Sequence, residues 1–409
     1  MKRGSNTLRD ALMQGFIKAS GYASSVLVLL IVVFLVAEGG GLFWEAPLTE
    51  GMGTAIHPGN DVPKLAESEL KAVLEGEITH WASLGGPDLP ISTLTLTNLD
   101  KALVERGLIR KHPEELLGED FGKLPQVADS LLAAEPGLLL VLPSKFIPAQ
   151  GKPLPLGNIS LARFLAGTRW DPTESPSPFF GAWPLVAGSL LVTLYALIFA
   201  LLLAPPVAIY LAELAPDRVR NIVKPIIELL AGIPSVVFGF IGLVVLVPFI
   251  RTTFNLDSGS TVLAGSLLLA IISLPTVISV AEDALRAAPA GLREASYALG
   301  ATQWQTILKV VVPASSSGIL AALILGTGRI VGETMAVLMV TGNSPQLVGL
   351  NPLASVRTMS AAIAAEMGEA PQGGLHYQAL FAVGILLFLL TFIINLAGES
   401  IRQRTLKNR

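Results

Sequence analysis

The sequence contains no cysteine, which excludes disulfides, thiolate metal sites and cysteine nucleophiles. Charge is scarce as well: Asp, Glu, Lys and Arg make up 14% of the 409 residues, whereas soluble domains hold about 25%. Hydrophobic residues account for 52% of the chain, and the mean hydropathy is +0.63. This balance predicts an integral membrane protein.

Candidate ligands and nucleophiles are also few. The four histidines have no ligand-like spacing and no partners that would make a catalytic set: His57, His80, His112 and His376. No Gly-x-x-x-x-Gly-Lys-Ser/Thr phosphate loop is present, and the glycine-rich "GTGRIVG" at 326–332 is explained by close helix packing. We therefore expect no metal site, no cofactor and no enzyme activity, and any coupled ATP hydrolysis would belong to another chain.

Six stretches are long and apolar enough to cross a bilayer, which takes about 20 residues. They lie near 22–37, 183–212, 224–250, 260–282, 316–340 and 378–397. The first, "YASSVLVLLIVVFLVA", also has the length of a signal-peptide core, but the following "EGGGLFWEAP" lacks a small-x-small cleavage pattern. We expect an all-α membrane protein with six transmembrane helices, because backbone polar groups in lipid must be satisfied within the helix.

Lysine and arginine predict the orientation of these spans. With the N-terminus inside, segments 1–21, 213–224, 286–313 and 402–409 are cytoplasmic and hold 14 basic residues, against one each in outer loops 251–259 and 341–377. Both termini are then cytoplasmic.

Residues 38–182 have a different composition, with 15 prolines, 19 acidic and 11 basic residues and therefore a net charge of −8. Within them, "PKLAESELKAVLEGEITHWASLGGPDLPISTLTL" has the pattern of an amphipathic helix, a turn and an alternating strand. We expect a folded extracytoplasmic α/β insert between the first two spans. The predicted domains are thus 1–37, 38–182 and 183–409.

The stretch "EASYALGATQWQTILKVVVP" lies in the cytoplasmic loop 286–313. A short helix over 294–299 would end at Gly300, because glycine adopts left-handed geometry at little cost. A second helix over 301–312 would present four apolar side chains on one face, ahead of Pro313: Trp304, Ile307, Leu308 and Val311. Such a unit suits docking in a partner's groove; an interfacial linker helix is the alternative.

This stretch resembles the coupling motif of ABC-importer permeases, Glu-Ala-Ala, three residues, Gly, nine residues, Ile-x-Leu-Pro. The matching positions are Glu294, Ala295, Ser296, Gly300, Val310, Val312 and Pro313. Ser replaces the second Ala, and Val replaces Ile and Leu. The resemblance implies that the loop, with Trp304, docks on an ATP-binding subunit.

Arg329 and Glu333 stand in the fifth apolar stretch, in "RIVGETM". A charge at the bilayer centre costs about 3 kcal/mol or more. Positions i and i+4 share a helix face, so we expect the two charges to neutralise each other partly, with Thr327 and Thr334 nearby as hydrogen-bonding groups. A structural ion pair is one interpretation. A pathway for an oxyanion, which a guanidinium suits, is the other.

Four segments resemble phosphate-specific ABC importer permeases of the PstC type. They are "GIPSVVFGFIGLVVLVPFI" (232–250), "ALGATQWQTILKVVVPA" (298–314), "GRIVGETMAVLMVTGN" (328–343) and "NPLASVRTMSAAIAAEMGEAP" (351–371). The resemblance covers about residues 183–397 together with the first span, and it implies the type I importer fold. It also implies a second permease of the PstA type, two ATP-binding subunits and an extracytoplasmic phosphate-binding protein.

By the same resemblance, Arg329 and Glu333 are associated with phosphate passage, and Thr334 and Ser235 join them in the pathway. Gly232, Pro234 and Ser235 match the third-span motif, where a helix break would free backbone groups toward a cavity; a packing kink is the alternative.

The insert departs from the family, whose members have a much shorter segment after the first span. Two of its segments resemble periplasmic phosphate-binding proteins: "LKAVLEGEITHWASLGGPDLPI" and "VADSLLAAEPGLLLVLPSKFIP". The Ser-Gly-Thr anion loop expected between them is missing, and "TLTNLDKAL" stands there instead. The insert is either a degenerate binding-protein lobe or an unrelated packing domain. For the whole chain, a permease for another oxyanion and a non-conducting scaffold or sensor subunit remain as alternatives.

Overall fold

A computed structural model describes residues 3–118 and 120–407. The chain is mostly helical and divides into two compact units. The first contains the residues up to 181 together with 370–382, and the second contains residues 182–369 together with those from 383 onward.

The first unit begins with one long helix and continues with short helices and strands. Its helices are α1 (Arg3–Gly41), α2 (Glu67–Leu74), α3 (Leu99–Glu105), α4 (Glu114–Leu117), α5 (Leu124–Ala134) and α6 (Leu161–Ala166). Its strands are β1 (Met52–Ile56), β2 (Ser92–Thr95), β3 (Leu138–Pro143), β4 (Lys152–Pro153), β5 (Trp170–Asp171) and β6 (Phe179–Phe180). The predicted helix, turn and strand in this region are confirmed as α2, a left-handed Gly85 (φ +77°) and β2.

Strand β3 is the centre of a four-stranded sheet of order β2-β3-β1-β4. It pairs parallel with β2 and antiparallel with β1. Its side chains alternate: Leu138, Leu140 and Leu142 join one hydrophobic cluster with residues of α3 and α5, while Leu139 and Val141 join another with residues of α2. Because both faces are covered, β3 reads as an uninterrupted apolar run.

The second unit is helical. Its helices are α7 (Trp183–Ile209), α8 (Asp217–Ala231), α9 (Ser235–Ile241), α10 (Val247–Phe254), α11 (Val262–Arg286), α12 (Ala290–Ala298), α13 (Gln303–Thr306), α14 (Val312–Ala314), α15 (Ser316–Gly332), α16 (Met335–Val340) and α17 (Met359–Glu366). The last helix of the chain, α18, is continuous over Leu375–Lys407. Single π-helical turns follow α7, α9 and α13 at Tyr210–Leu214, Gly242–Leu246 and Ile307–Val311.

Within the described residues, five helices are long and apolar enough to cross a membrane, and a bent pair would make six. The five are Met13–Trp44, Trp183–Leu214, Ser235–Phe254, Val262–Arg286 and Leu375–Gln403. The pair, Gln303–Ala314 and Ser316–Gly332, bends by 68°.

Two predicted spans have the wrong bounds. The third, predicted over 224–250, is instead an amphipathic α8 followed by a break at Gly232–Pro234 and a span that begins at Ser235. Pro234 has no N–H to continue the helical ladder. The fifth, predicted as continuous over 316–340, is interrupted at Glu333–Thr334 between α15 and α16.

Glycines bring α15 against α11. A Cβ on Gly326 would lie 2.4 Å from Cγ2 of Val277, and one on Gly318 would lie 2.3 Å from Cβ of Ala284. The two helices are therefore antiparallel and nearly in backbone contact. This geometry supports helix packing as the reason for glycine in "GTGRIVG".

A buried carboxylate ties α8 to the C-terminal end of α11. Glu282, with 1% of its side chain exposed, accepts hydrogen bonds from Arg220 (3.0 Å) and Lys224, and Arg286 lies 3.7 Å away. Lys224 also donates to Asp283 at 2.8 Å. Burial alone would lower the pKa of Lys224, but its hydrogen bonds to Asp283 and Glu282 outweigh burial and raise it. Lys224 therefore stays charged at neutral pH.

We expect Glu282→Gln to lower the free energy of unfolding by about 3 kcal/mol, because it removes one partner from a buried ion cluster. The melting temperature of the purified chain in detergent measures this. Asp283→Asn is the matched control: that side chain is 68% exposed, and an exposed pair contributes about 0–1 kcal/mol. Equal melting temperatures for the two variants would contradict a structural role for Glu282.

Candidate substrate pathway and coupling loop

The chain leaves helical geometry immediately after Gly332, where α15 ends. Glu333 has extended backbone (φ −72°, ψ 126°), and α16 starts at Met335. The Glu333 carboxylate accepts a hydrogen bond from the backbone N–H of Ala336 at 3.3 Å, so it caps α16. Ser360 of α17, which is 6% exposed, donates to the Glu333 carbonyl at 3.1 Å. The break is thus held from both sides.

The expected pairing of Arg329 with Glu333 is wrong. No ion pair joins these two residues, both of which belong to the described part of the chain, and Arg329 Nη1 donates instead to Oγ1 of Thr276 on α11 at 3.3 Å. The i, i+4 geometry is lost because the helix ends at Gly332, between the two residues. Arg329 is half-buried and has no carboxylate partner among the residues that the structure describes.

The third-span motif forms a second break, and the helices that follow the two breaks pack together. A Cβ on Gly239 would lie 2.8 Å from Sδ of Met339 and 3.0 Å from Cα of Ala336. One on Gly242 would lie 3.0 Å from Cγ1 of Val340. Gly239 contacts Ala336, and Gly242, which is later in the chain, contacts the later residue Val340. The two segments therefore run in the same direction.

Ser235, the first residue of α9, is therefore at the same end of this contact as Glu333 and Thr334. Pro234 precedes it and is exposed, as is Gly232, the residue that ends α8. Ser235 from one break, and Glu333 and Thr334 from the other, thus lie at the same end of the packed helices α9 and α16.

The coupling stretch has the predicted helix–glycine–helix form. Helix α12 ends at Ala298, and Gly300 has φ +81°, a conformation that favours glycine. Thr302 and Gln305 then form a reciprocal capping box at the start of α13. The Ser296 and Thr306 hydroxyls are 2.8 Å apart, and this hydrogen bond joins the two helices.

The predicted apolar docking face is only half correct. Trp304 and Leu308 are 58% and 57% exposed, but Ile307 and Val311 are buried at 1% and 0%. The π turn over Ile307–Val311 sends those two side chains into the unit's core, where Val311 joins a buried cluster. The outward apolar surface includes Trp304, Leu308 and Leu299, which is 89% exposed. Four motif residues are exposed: Glu294, Ala295, Gly300 and Pro313.

An unpredicted ion pair anchors the loop. Arg293 lies 2.5 Å from Glu213, at the end of the first span of this unit, and it also donates to the carbonyls of Leu285 (2.9 Å) and Ala288 (2.7 Å). The Glu213 carboxylate raises the pKa of Arg293. Sequence reasoning missed Glu213 and Glu282 because it used the basic residues near the span ends only for orientation. Each is an acidic residue at the end of a span, and a basic segment follows or faces it. That pattern in the sequence could have predicted the two ion pairs.

Comparisons with known proteins identify the family. Residues 204–407 match the model described as "Binding-protein-dependent transport system inner membrane component". The probable ABC transporter permease protein YqgH of Bacillus subtilis is 36% identical over 310 residues, 76% of this chain and 99% of that protein. The phosphate transport system permease protein PstC of Mesorhizobium japonicum is 35% identical over 250 residues, 56% of this chain and 75% of that protein.

Among solved structures, an inward-facing conformation of the MetNI methionine ABC transporter is 22% identical. The match covers 53% of this chain and 93% of that chain, with a TM-score of 0.42. The sequence relatives, matched over nearly all and three quarters of their lengths, settle the classification. The chain belongs to the binding-protein-dependent transport system inner membrane components, within the PstC-type group of phosphate ABC importer permeases.

Proposed function

We propose that this chain is a transmembrane permease subunit of an ATP-driven inorganic phosphate importer. It forms the translocation pathway with a second, PstA-type permease. It docks on two ATP-binding subunits at its cytoplasmic loop and receives phosphate from an extracytoplasmic binding protein. Both termini are cytoplasmic and residues 38–182 are extracytoplasmic, in accord with the excess of basic residues in the other loops.

One observation carries the proposal: Arg329 is an intramembrane cation without an anionic partner among the described residues. Its one hydrogen bond goes to the neutral hydroxyl of Thr276. An uncompensated guanidinium within a span is costly and marks a pathway or ligand site. Its planar set of donors suits a tetrahedral oxyanion. PstC relatives, whose names assign them to phosphate transport, make phosphate the first choice of anion.

We propose that Glu333 acts in the pathway through its contact with α16 rather than by pairing with Arg329. Its carboxylate caps α16 and thereby fixes the break beside Arg329. Thr334 lies in the same break and donates to the Gly332 carbonyl at 3.3 Å. We therefore assign Glu333 to shaping the pathway, and Thr334 and Ser235 to its lining.

The coupling role rests on the exposed surface of loop 286–313 and on its anchors. Leu299, Trp304 and Leu308 offer apolar contacts to a partner groove. Arg293 connects the loop to the ends of α7 and α11, so that force on the loop reaches two spans. The same end of α11 carries Glu282, which bonds α8 and hence reaches the break before α9.

The insert is proposed to be a degenerate binding-protein lobe that docks the true binding protein. Two features argue against phosphate binding by the insert itself. Its net charge is −8. The polar groups between β2 and α3 also bond one another: the Thr95 N–H donates to Asn98 Oδ1 at 2.7 Å, and the Asn98 N–H donates to Thr95 Oγ1 at 3.2 Å.

Arg329→Ala is expected to reduce phosphate uptake by at least about tenfold at unchanged membrane abundance, because a charge-assisted contact contributes about 1.5–3 kcal/mol. Glu333→Gln should reduce uptake as well, because it weakens the cap. Radiolabelled phosphate uptake in cells measures both, with Arg251→Ala, an exposed arginine at the end of α10, as control.

Wild-type uptake by the Arg329 variant would refute the pathway assignment. Faster uptake of another tetrahedral oxyanion would reassign the substrate. Transport by an assembly that lacks this chain would make it a scaffold or sensor.

Gly300→Val and Glu294→Lys are expected to abolish phosphate-stimulated ATP hydrolysis by the assembled importer while leaving membrane insertion intact. A β-branched residue is strained at φ +81°, and a lysine reverses the charge of the exposed Glu294. Gly291→Val is the matched control, because Gly291 lies on the same loop with ordinary φ and open space around it. Stimulation retained in both variants would show that the ATP-binding subunits dock elsewhere.

A further inference from the structure

We propose that Thr276 and Asn395 complete the oxyanion site of Arg329, each from a different helix packed against α15. This inference rests on the pathway function proposed above for Arg329 and adds two residues and a geometry to it. The ligand class is a tetrahedral oxyanion, bound by one guanidinium and two neutral side chains.

Helix α15 is covered on two sides by neighbouring helices. On one side Gly326 packs against Val277 of α11, where an added Cβ would lie 2.4 Å from a Val277 methyl. On the other side Ile324 meets α18, because a Cβ on Gly398 would lie 2.6 Å from Ile324 Cγ1. Successive helical residues turn by about 100°, so a third, uncovered face lies between these two sides.

That third face is open and contains Arg329. Leu325, Arg329 and Gly332 follow each other at the four- and three-residue spacing of one helical stripe. Leu325 is 54% exposed, Gly332 is exposed and Arg329 is half-buried. The guanidinium therefore stands at the border between the α11 contact and open space.

Thr276 borders this face from α11, and its hydroxyl differs from others in the spans. Most intramembrane hydroxyls here bond a carbonyl of their own helix: Ser273 to Ala270 (2.9 Å), Thr327 to Leu323 (2.8 Å) and Thr391 to Leu387 (2.8 Å). The hydroxyl of Thr276 bonds only Arg329 among the described residues, and it does so as acceptor. Its proton stays available for an anion oxygen.

Asn395 borders the same face from α18. Its amide oxygen lies 3.7 Å from the position of a Cβ on Gly328, the residue before Arg329. The side chain is exposed and forms no hydrogen bond with any described residue, although it stands in one of the most apolar helices of the chain. A neutral amide left in hydrocarbon costs several kcal/mol, so its position indicates a wet cavity.

Together these groups make a donor set for an oxyanion. Arg329 has five N–H donors, of which Thr276 accepts one. The Thr276 hydroxyl and the Asn395 amide add neutral donors that orient the anion without adding charge. The nearby Glu333 carboxylate is engaged as a helix cap. A site with one positive charge and two neutral donors binds an anion tightly enough for it to enter and weakly enough for it to leave.

The absence of cysteine from this chain allows a direct test. Single variants Thr276→Cys and Asn395→Cys are prepared in membranes that contain the assembled importer. They are treated with methanethiosulfonates of similar size, one negatively and one positively charged, and labelling is read from the mass of this chain. Ser273→Cys and Thr391→Cys are matched controls, one helical turn away on the same helices.

Both test positions are expected to react, with the negatively charged reagent preferred. Adding Arg329→Gln should lower the ratio of negative to positive reagent rates at both positions by about fivefold or more, because it removes a nearby charge at low dielectric. The controls should react slowly, with a ratio that Arg329→Gln does not change. Unreactive test positions, or a ratio indifferent to Arg329→Gln, would overturn the proposal.

Isosteric variants supply a second readout. Thr276→Val and Asn395→Leu should each lower the maximal uptake rate several-fold at unchanged membrane abundance, and Thr276→Ser should restore it. Ser273→Ala and Thr391→Val should transport normally. Loss of uptake in the Arg329 variant with none in Thr276→Val and Asn395→Leu refutes this inference alone. Normal uptake in the Arg329 variant refutes the pathway function itself.

Discussion

A guanidinium inside an apolar bundle is the constraint on which the rest of this structure depends. Arg329 sits near the end of α15, half-buried, with a threonine hydroxyl as its partner. Desolvation of a charge at the centre of a bilayer costs about 3 kcal/mol on insertion scales. The surrounding helices accommodate it with polar side chains and an open face of α15. A carboxylate would have neutralised the charge, and the available one, Glu333, is turned to a backbone N–H instead.

Both helix breaks leave backbone polar groups without partners inside the helix. Non-helical backbone within a membrane is tolerated where it is buried in protein or lines a cavity. At Glu333 the freed groups are satisfied by the Ser360 hydroxyl and by capping of α16. At Gly232–Pro234 the proline has no backbone N–H, so one hydrogen-bond donor fewer needs a partner. Glycines on α9 and at the following π turn then allow the two restarted helices to approach within backbone distance, which fixes their relative level.

At the ends of α7 and α11 that face the loop 286–313, ion pairs connect neighbouring helices. Glu213 and Glu282 are acids near the ends of spans, each bonded to arginine or lysine from another element. Through Arg293 the loop 286–313 is joined to α7 and α11, and through Glu282 the end of α11 is joined to α8. Helix α8 ends at the break that precedes α9. The proposed coupling loop and the proposed pathway are thus connected by named contacts within one unit.

The sequence alone determined the features that depend on local composition and spacing. Apolar runs located the second and fourth spans to within about four residues of their observed ends, Trp183–Leu214 and Val262–Arg286. Gly300 predicted the left-handed turn, and the coupling motif and "RIVGETM" indicated the family. Tertiary structure decided the partners. Thr276 lies 53 positions from Arg329, and Glu282 lies 62 from Arg220. The hydrogen bonds of Glu333 with the Ser360 hydroxyl and the Ala336 N–H stabilise the break between α15 and α16 against a continuous helix. Such choices are made by hydrogen bonds between distant segments, whose geometry no local period encodes.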